Sequence, residues 1–187
     1  LKPTKIFLDL DDVLNDFTMH TLRKLGCGID KYDPEWGWDI VTAANSSHPL
    51  RHFTPESFWS SFGREHWATV PKSGMCDWLI DTAAGLVGQE NVFILTCPTR
   101  DPASLSGKLE WIYSNLPTWL HRQYVMSPRK FLCASPTSLL IDDRDDNVDR
   151  FCEEGGRAIL VPRPWNNRAV WSDRSIHAVR LELSVTF

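Results

Sequence analysis

Aspartates crowd two short stretches of the chain. Phe7–Phe17 reads FLDLDDVLNDF, with Asp9, Asp11 and Asp12, and Leu139–Asn147 reads LLIDDRDDN, with Asp142, Asp143, Asp145 and Asp146. Each group follows an apolar run, so each stands where a buried strand gives out. Asp9 and Asp11, two residues apart on an extended chain, can aim at one space. So many carboxylates together raise one another's pKa or loosen the fold unless a cation offsets them. Mg2+ does this with a few carboxylate oxygens, leaving room for waters and phosphate. The alternative is helix capping, by Asp11 or Asp12 for one helix and Asp143 or Asp145 for another. Placing both groups at the same edge of a sheet favours the metal site.

Phosphoryl transfer at such a site needs a nucleophile, a proton donor for the leaving oxygen, and donors for the remaining phosphoryl oxygens. Asp9 can be the nucleophile, and Asp11 can give a proton to the leaving group and later take one from water. Thr96, closing the apolar run Asn91–Leu95, offers a hydroxyl, and Lys108 and Lys130 are the candidates to offset phosphate charge. Cys97 follows Thr96 but has no histidine motif to make it a nucleophile, so it reads as packing beside the site. His48 and His52 flank Pro49 without an acidic or cysteine partner, which reads as a loop. The segment VPRPWNN (Val161–Asn167) either closes over the site or anchors the C-terminus.

The elements that would position these groups alternate. Strands are expected at Lys5–Leu10, Asn91–Leu95, Gln123–Met126, Ser138–Ile141 and Arg157–Val161. Helices are expected at Leu14–Leu25, Ser73–Leu86, Ser106–Leu116 and Asp145–Glu154. That order implies an α/β fold whose parallel sheet is covered on both faces, with ligands at the carboxyl ends of its strands. Residues 27–72 carry Pro34, Pro49, Pro55 and Pro71 among many aromatics without a clean period, and read as short helices and loops inserted over the main body. Val179, Leu181, Leu183, Val185 and Phe187 alternate with polar residues, the pattern of a half-buried strand at a sheet edge or at a contact with a second copy of the chain.

The 187 residues suffice for one sizeable core. A net charge of -4, from 20 basic and 24 acidic residues, disfavours a nucleic-acid polymer as partner. Five scattered cysteines without a CxxC pair read as reduced thiols. No apolar run reaches the roughly 20 residues of a membrane span, and Leu1–Thr4 does not resemble a signal peptide, so a cytoplasmic protein with no membrane partner is expected. Nine tryptophans call for large buried surfaces or an aromatic pocket.

FLDLDDVLNDF resembles the first motif of haloacid dehalogenase-like phosphatases, ILTCP (Ile94–Pro98) their second, and SPRK with LLIDDRDDN their third and fourth. The ordered motifs span about residues 5–161. DVLNDF, FW, PKSG, ILTCP and PRK…LLIDDR are most similar to the 5'(3')-deoxyribonucleotidase group. The resemblance implies a Rossmann-like three-layer core, residues 1–16 and 73–187, with a small helical cap, residues 17–72, inserted after the first strand. It implies Asp9 as nucleophile and Asp11 as acid/base, with the Asp11 backbone carbonyl on Mg2+. Thr96 would bind the phosphoryl group and Lys130 would be the motif lysine. Asp143 would be a direct metal ligand, with Asp142 beside it and Asn147 acting through water. Phe17, Cys97 and Arg144 are the candidate substrate contacts; Phe17 and the cap tryptophans either stack a base or pack as core. The family commonly has Gly where Asp12 sits, which adds local charge here.

The expected activity is therefore hydrolysis of small phosphate esters, with nucleoside monophosphates foremost. The same chemistry on a sugar phosphate or on 3'-phosphate ends of nucleic acid is the second reading. A silent phosphate-binding module is the third, and intact Asp9, Asp11, Thr96, Lys130 and Asp143 argue against it.

Overall fold

The computed structural model describes residues 1–28, 30–48 and 50–187, so Pro49 lies outside the described residues. β1 (Lys5–Leu8) is followed by α1 (Phe17–Lys24), α2 (Ile40–Ser47), α3 (Pro55–Trp59), α4 (Arg64–Ala68) and α5 (Cys76–Val87). Then come β2 (Val92–Thr96), α6 (Pro102–Asn115), β3 (Tyr124–Met126), β4 (Ser138–Asp142), α7 (Asp145–Glu153), β5 (Arg157–Leu160) and α8 (Ser175–Thr186). The strands form one parallel five-stranded sheet in the order β3-β2-β1-β4-β5. The chain turns back across β1 to reach β4, and the crevice above that reversal is where open α/β sheets bind ligands.

The strands are apolar on both faces because both faces are covered. Ile6 and Leu8 stand in register with Val92 and Ile94 on one side and Leu139 and Ile141 on the other. They pack with Leu79 and Ile80 of α5, Trp111 and Ile112 of α6, and Val179 and Leu183 of α8. Phe7, Leu95 and Leu140 point the other way, onto Phe151 of α7. Burying each such side chain contributes about 1.5–3 kcal/mol. The result is the expected three-layer α/β fold, with β1 at its centre.

Residues 17–72 leave and re-enter the sheet region side by side. Asn15 bridges Lys72, Asp16 N–H donates to Pro71 O at 3.0 Å, and Ser73 N–H donates to Leu14 O at 2.9 Å. The returning helix α4 lies directly on α6. A Cβ on Gly107 would fall 2.4 Å from Arg64 O and 2.5 Å from Trp67 Cβ, so this approach requires glycine.

The C-terminal segment differs from expectation, for it is the helix α8 and not a strand. Ala178, Val179 and Leu183 are buried, at helical spacing, whereas Leu181 is 52% and Val185 87% exposed. Val179 and Leu183 satisfy both an alternating and a helical period, and the tertiary contacts decide between them. No helix among the described residues is long and apolar enough to cross a membrane.

Candidate active site

β1 ends at Leu8, yet Asp9 N–H still donates to Ile141 O at 3.0 Å, so the backbone of Asp9 is held in the sheet while its side chain reaches the crevice. β4 delivers Asp142 and then Asp143, and β2 delivers Thr96, all at the same sheet edge. Asp9, Asp142 and Asp143 are buried and bring carboxylate oxygens within 4.8 Å of one another. Lys130, in a turn before β4, bridges two of them, with Nζ 2.7 Å from Asp9 Oδ1 and 2.6 Å from Asp142 Oδ2. Asp142 also accepts from Arg144 N–H at 3.0 Å and from the Asn147 amide at 3.0 and 3.2 Å. Its oxygens are thus spent on positioning neighbours, and the amide nitrogen of Asn147 is spent on Asp142.

Asp143 Oδ2 accepts from the Trp165 indole at 2.8 Å, and Asp9 Oδ1 accepts from Leu10 N–H at 2.7 Å. The other oxygen of each has no hydrogen-bond partner among the described residues. One lysine among three acids leaves an excess of negative charge. Burial raises Asp9 to about 7 against the pull of Lys130, with Asp142, Asp143 and Asp11 adding to the rise. Burial raises Asp143 to about 8, helped by Asp12 and Asp142. Burial also acts against the Lys130 ammonium, but Asp142 and Asp9 outweigh it and push its pKa up. Two free oxygens on buried, charge-crowded carboxylates are a donor set that fits a hard divalent cation such as Mg2+.

Asp12 has a different job. Its backbone is left-handed, with φ 57°, a conformation that Gly adopts freely and Asp tolerates. Its carboxylate accepts from Thr18 N–H at 2.9 Å and Thr18 Oγ at 2.6 Å, capping α1 in place of Asp16, whose side chain caps nothing. Burial raises its pKa to about 7, with the Thr18 hydroxyl bond opposing. The capping alternative therefore holds for Asp12, whereas Asp11 faces the crevice. Asp11 Oδ2 lies 2.5 Å from Lys108 Nζ, and Oδ1 accepts from the Asn15 amide at 3.3 Å. Lys108, the alternative to Lys130 by spacing, also enters the site; both lysines are buried there.

A cleft of about 720 Å3 opens above these groups and is lined by Asp9, Asp11, Thr96, Lys130 and Asp143 at its floor. Phe17, Trp59 and Trp67 form a wall of near-parallel rings, Phe17 being 4.8 Å from Trp67 and 6.4 Å from Trp59 between centroids. Phe17 and Trp67 are also largely buried, so core packing and cleft lining are one arrangement and not alternatives. Cys97 is exposed at the rim. Arg144 places its guanidinium 4.0 Å from the Trp38 ring centroid, joining the sheet side to the insertion across the cleft. His48 Nδ1 accepts from Leu50 and Arg51 N–H, and His52 is exposed.

The Val161–Asn167 segment does reach the site. Trp165 holds Asp143, Asn166 donates to Asp143 O at 2.8 Å, and Arg163 Nε donates to Asp12 O at 2.6 Å. Spacing gave no reason to single out Trp165 or Arg163, because their partners lie on loops brought close only by the folded sheet.

No family model matches the chain. It is 26% identical over 165 residues to the 5'(3')-deoxyribonucleotidases of Bacillus subtilis strain 168 and of Bacillus phage SPbeta, covering 86% of this chain and 86% of each relative. Among solved structures it resembles a HAD family hydrolase from Deinococcus radiodurans R1 with bound phosphate and sodium. That likeness has a TM-score of 0.55 at 16% identity and covers 99% of this chain and 96% of that one. It also resembles a hydrolase from Streptococcus pneumoniae TIGR4, with a TM-score of 0.52 at 14% identity, over 91% of this chain and 98% of that one.

Proposed function

We propose that this chain, which by its fold is a haloacid dehalogenase-like protein, is a Mg2+-dependent phosphomonoesterase acting on nucleoside monophosphates, with residues 17–72 as a cap over a core of 1–16 and 73–187. The observation that carries the reading is the convergence of Asp9, Asp11, Thr96, Lys130 and Asp143 on the floor of one cleft. Mg2+ would be held by the free oxygens of Asp9 and Asp143 and the Asp11 backbone carbonyl, and when bound it supplies charge neutralisation for the carboxylates and the phosphoryl oxygens. Asp142 and Asn147 support it indirectly, by fixing Lys130 and the start of α7.

The Asp9 carboxylate attacks phosphorus, and the ester P–O bond breaks as Asp11 gives its proton to the leaving oxygen. Water then attacks the aspartyl-phosphate, Asp11 takes its proton, and the bond from phosphorus to Asp9 breaks to release phosphate. Thr96 and Lys130 hold phosphoryl oxygens. The aromatic wall of Phe17, Trp59 and Trp67 gives a flat apolar group such as a base a surface to lie on, with Cys97 and Arg144 at the rim. The deoxyribonucleotidase relatives support the same substrate class.

The test is phosphate release from a panel of esters with Mg2+, beside Asp9→Asn. Nucleoside monophosphates should exceed sugar phosphates and 3'-phosphorylated oligonucleotides in kcat/KM, and Asp9→Asn should lose about 10³-fold or more in kcat. No release from any ester, or a fully active Asp9→Asn, would sink the mechanism; a sugar phosphate ranking first would sink the substrate assignment alone.

A further inference from the structure

Lys108 is 1% exposed and sits where α6 presses against α4, its Nζ 5.3 Å from the Trp67 ring centroid. The ammonium lies 2.5 Å from Asp11 Oδ2, 2.9 Å from Thr96 Oγ1 and 2.7 Å from Cys97 O. An ammonium has three protons and no acceptor, so three acceptors use it completely. The direction of each bond follows. Thr96 Oγ1 must accept from Lys108, and its own proton must point elsewhere. No acceptor among the described residues receives that proton, and Thr96 borders the cleft.

We propose that Lys108 is a positioning residue: by committing all three of its protons it presets the Thr96 hydroxyl as a donor to a phosphoryl oxygen in the cleft and holds Asp11 beside it. The inference rests on reading the cleft as a phosphoryl site. Lys130 does not share this role: its ammonium bridges Asp9 and Asp142 and makes no hydrogen bond to Thr96. Without Lys108, the Asp11 carboxylate and the Cys97 carbonyl both lose a donor, and the nearby Thr96 hydroxyl becomes the replacement. Its proton then turns away from the cleft. Lys108 thus acts on the ligand through Thr96, without touching it.

The test is a double-mutant cycle on binding of inorganic phosphate in the presence of Mg2+, read by titration calorimetry. Thr96→Val should weaken phosphate about tenfold, the worth of one hydrogen bond to a charged group. Lys108→Met should weaken it to a similar extent. The double variant should stay near tenfold, because the second change removes a donor already lost. Costs that multiply to about a hundredfold, or unchanged binding by Lys108→Met, overturn the proposal. In turnover, Lys108→Met should lower kcat by a larger factor than it raises KM, since Asp11 also loses its support; equal factors would contradict that part.

If Lys108→Met does not fold, wild-type protein labelled with 15N-lysine decides. A slowly exchanging ζ-ammonium resonance with a cross-peak to the Thr96 methyl is expected, and its absence overturns the geometry. A wild type that binds phosphate with the predicted coupling but hydrolyses no ester refutes the function and leaves this inference standing. A wild type that does not bind phosphate at millimolar concentration refutes both.

Discussion

Replacing Lys130 with Met keeps most of the side-chain volume and removes one charge from a buried site. Lys130 is 2.7 Å from Asp9 and 2.6 Å from Asp142, with its side chain only 3% exposed. At an effective dielectric of about 20, each contact carries about 6 kcal/mol of Coulomb attraction, most of it offset by the cost of desolvating three charges. Removal of one partner from such a group leaves the others buried and uncompensated, which costs about 3–5 kcal/mol. Against a typical folding stability of about 5–15 kcal/mol, that loss is readily measured by urea denaturation in EDTA. Adding Mg2+ should restore more stability to Lys130→Met than it adds to wild type. A second substitution, Asp142→Asn, should make the double variant more stable than Lys130→Met alone, since it removes an orphaned charge. Lys130→Met within about 1 kcal/mol of wild type in EDTA would refute the ion-pair account.

Mg2+ binding should release protons, because Asp9 at about 7 and Asp143 at about 8 hold them near neutrality. About one proton per Mg2+ is expected at pH 7 and almost none at pH 9, measured by calorimetry in buffers of different ionisation enthalpy; no release at pH 7 would contradict it. The same two groups have folded pKa values above the unfolded 3.8. Their contribution to metal-free stability is therefore full below about pH 4 and lost as pH rises through 7 to 8, so the gain in Tm on adding Mg2+ should grow from pH 6 to pH 8.5. Asp12→Ala keeps the left-handed backbone but loses both bonds to Thr18, whereas Asp12→Gly loses the bonds and relieves the backbone. Asp12→Gly should be the more stable of the two by about 1 kcal/mol in urea denaturation, and equal values would argue against the strain. Gly107→Ala should destabilise by about 3 kcal/mol or more, because the new methyl meets Arg64 backbone and Trp67 Cβ; a cost under about 1 kcal/mol would mean that α4 can yield.

The sheet was legible because its strands are short apolar runs that end in chemistry. β1, β2 and β4 each carry the hydrophobic residues of two covered faces followed by Asp or Thr, so pattern and site coincide in the chain. The C-terminal helix was not legible in the same way. Val179 and Leu183 fit two periods at once, and only the packing of α8 on the sheet separates them. Among the acids, composition marks the cluster but not the division of labour. Asp12 caps α1 through Thr18, and Asp142 is consumed by Lys130, Arg144 and Asn147, roles set by loop geometry. Lys108 stood beside Lys130 as a candidate by spacing. That both lysines are used, each by different acids, follows from the way α6 leans over the end of β2.

The contact made through Gly107 has a mechanical side. It seats α4 on α6, and α6 packs in the core, so α4 with Trp67 is built against the core although the sequence counts it within the insertion. Trp67 therefore lines the cleft from a helix seated on the core, whereas Trp38 and Trp59 line it from the loop before α2 and from α3.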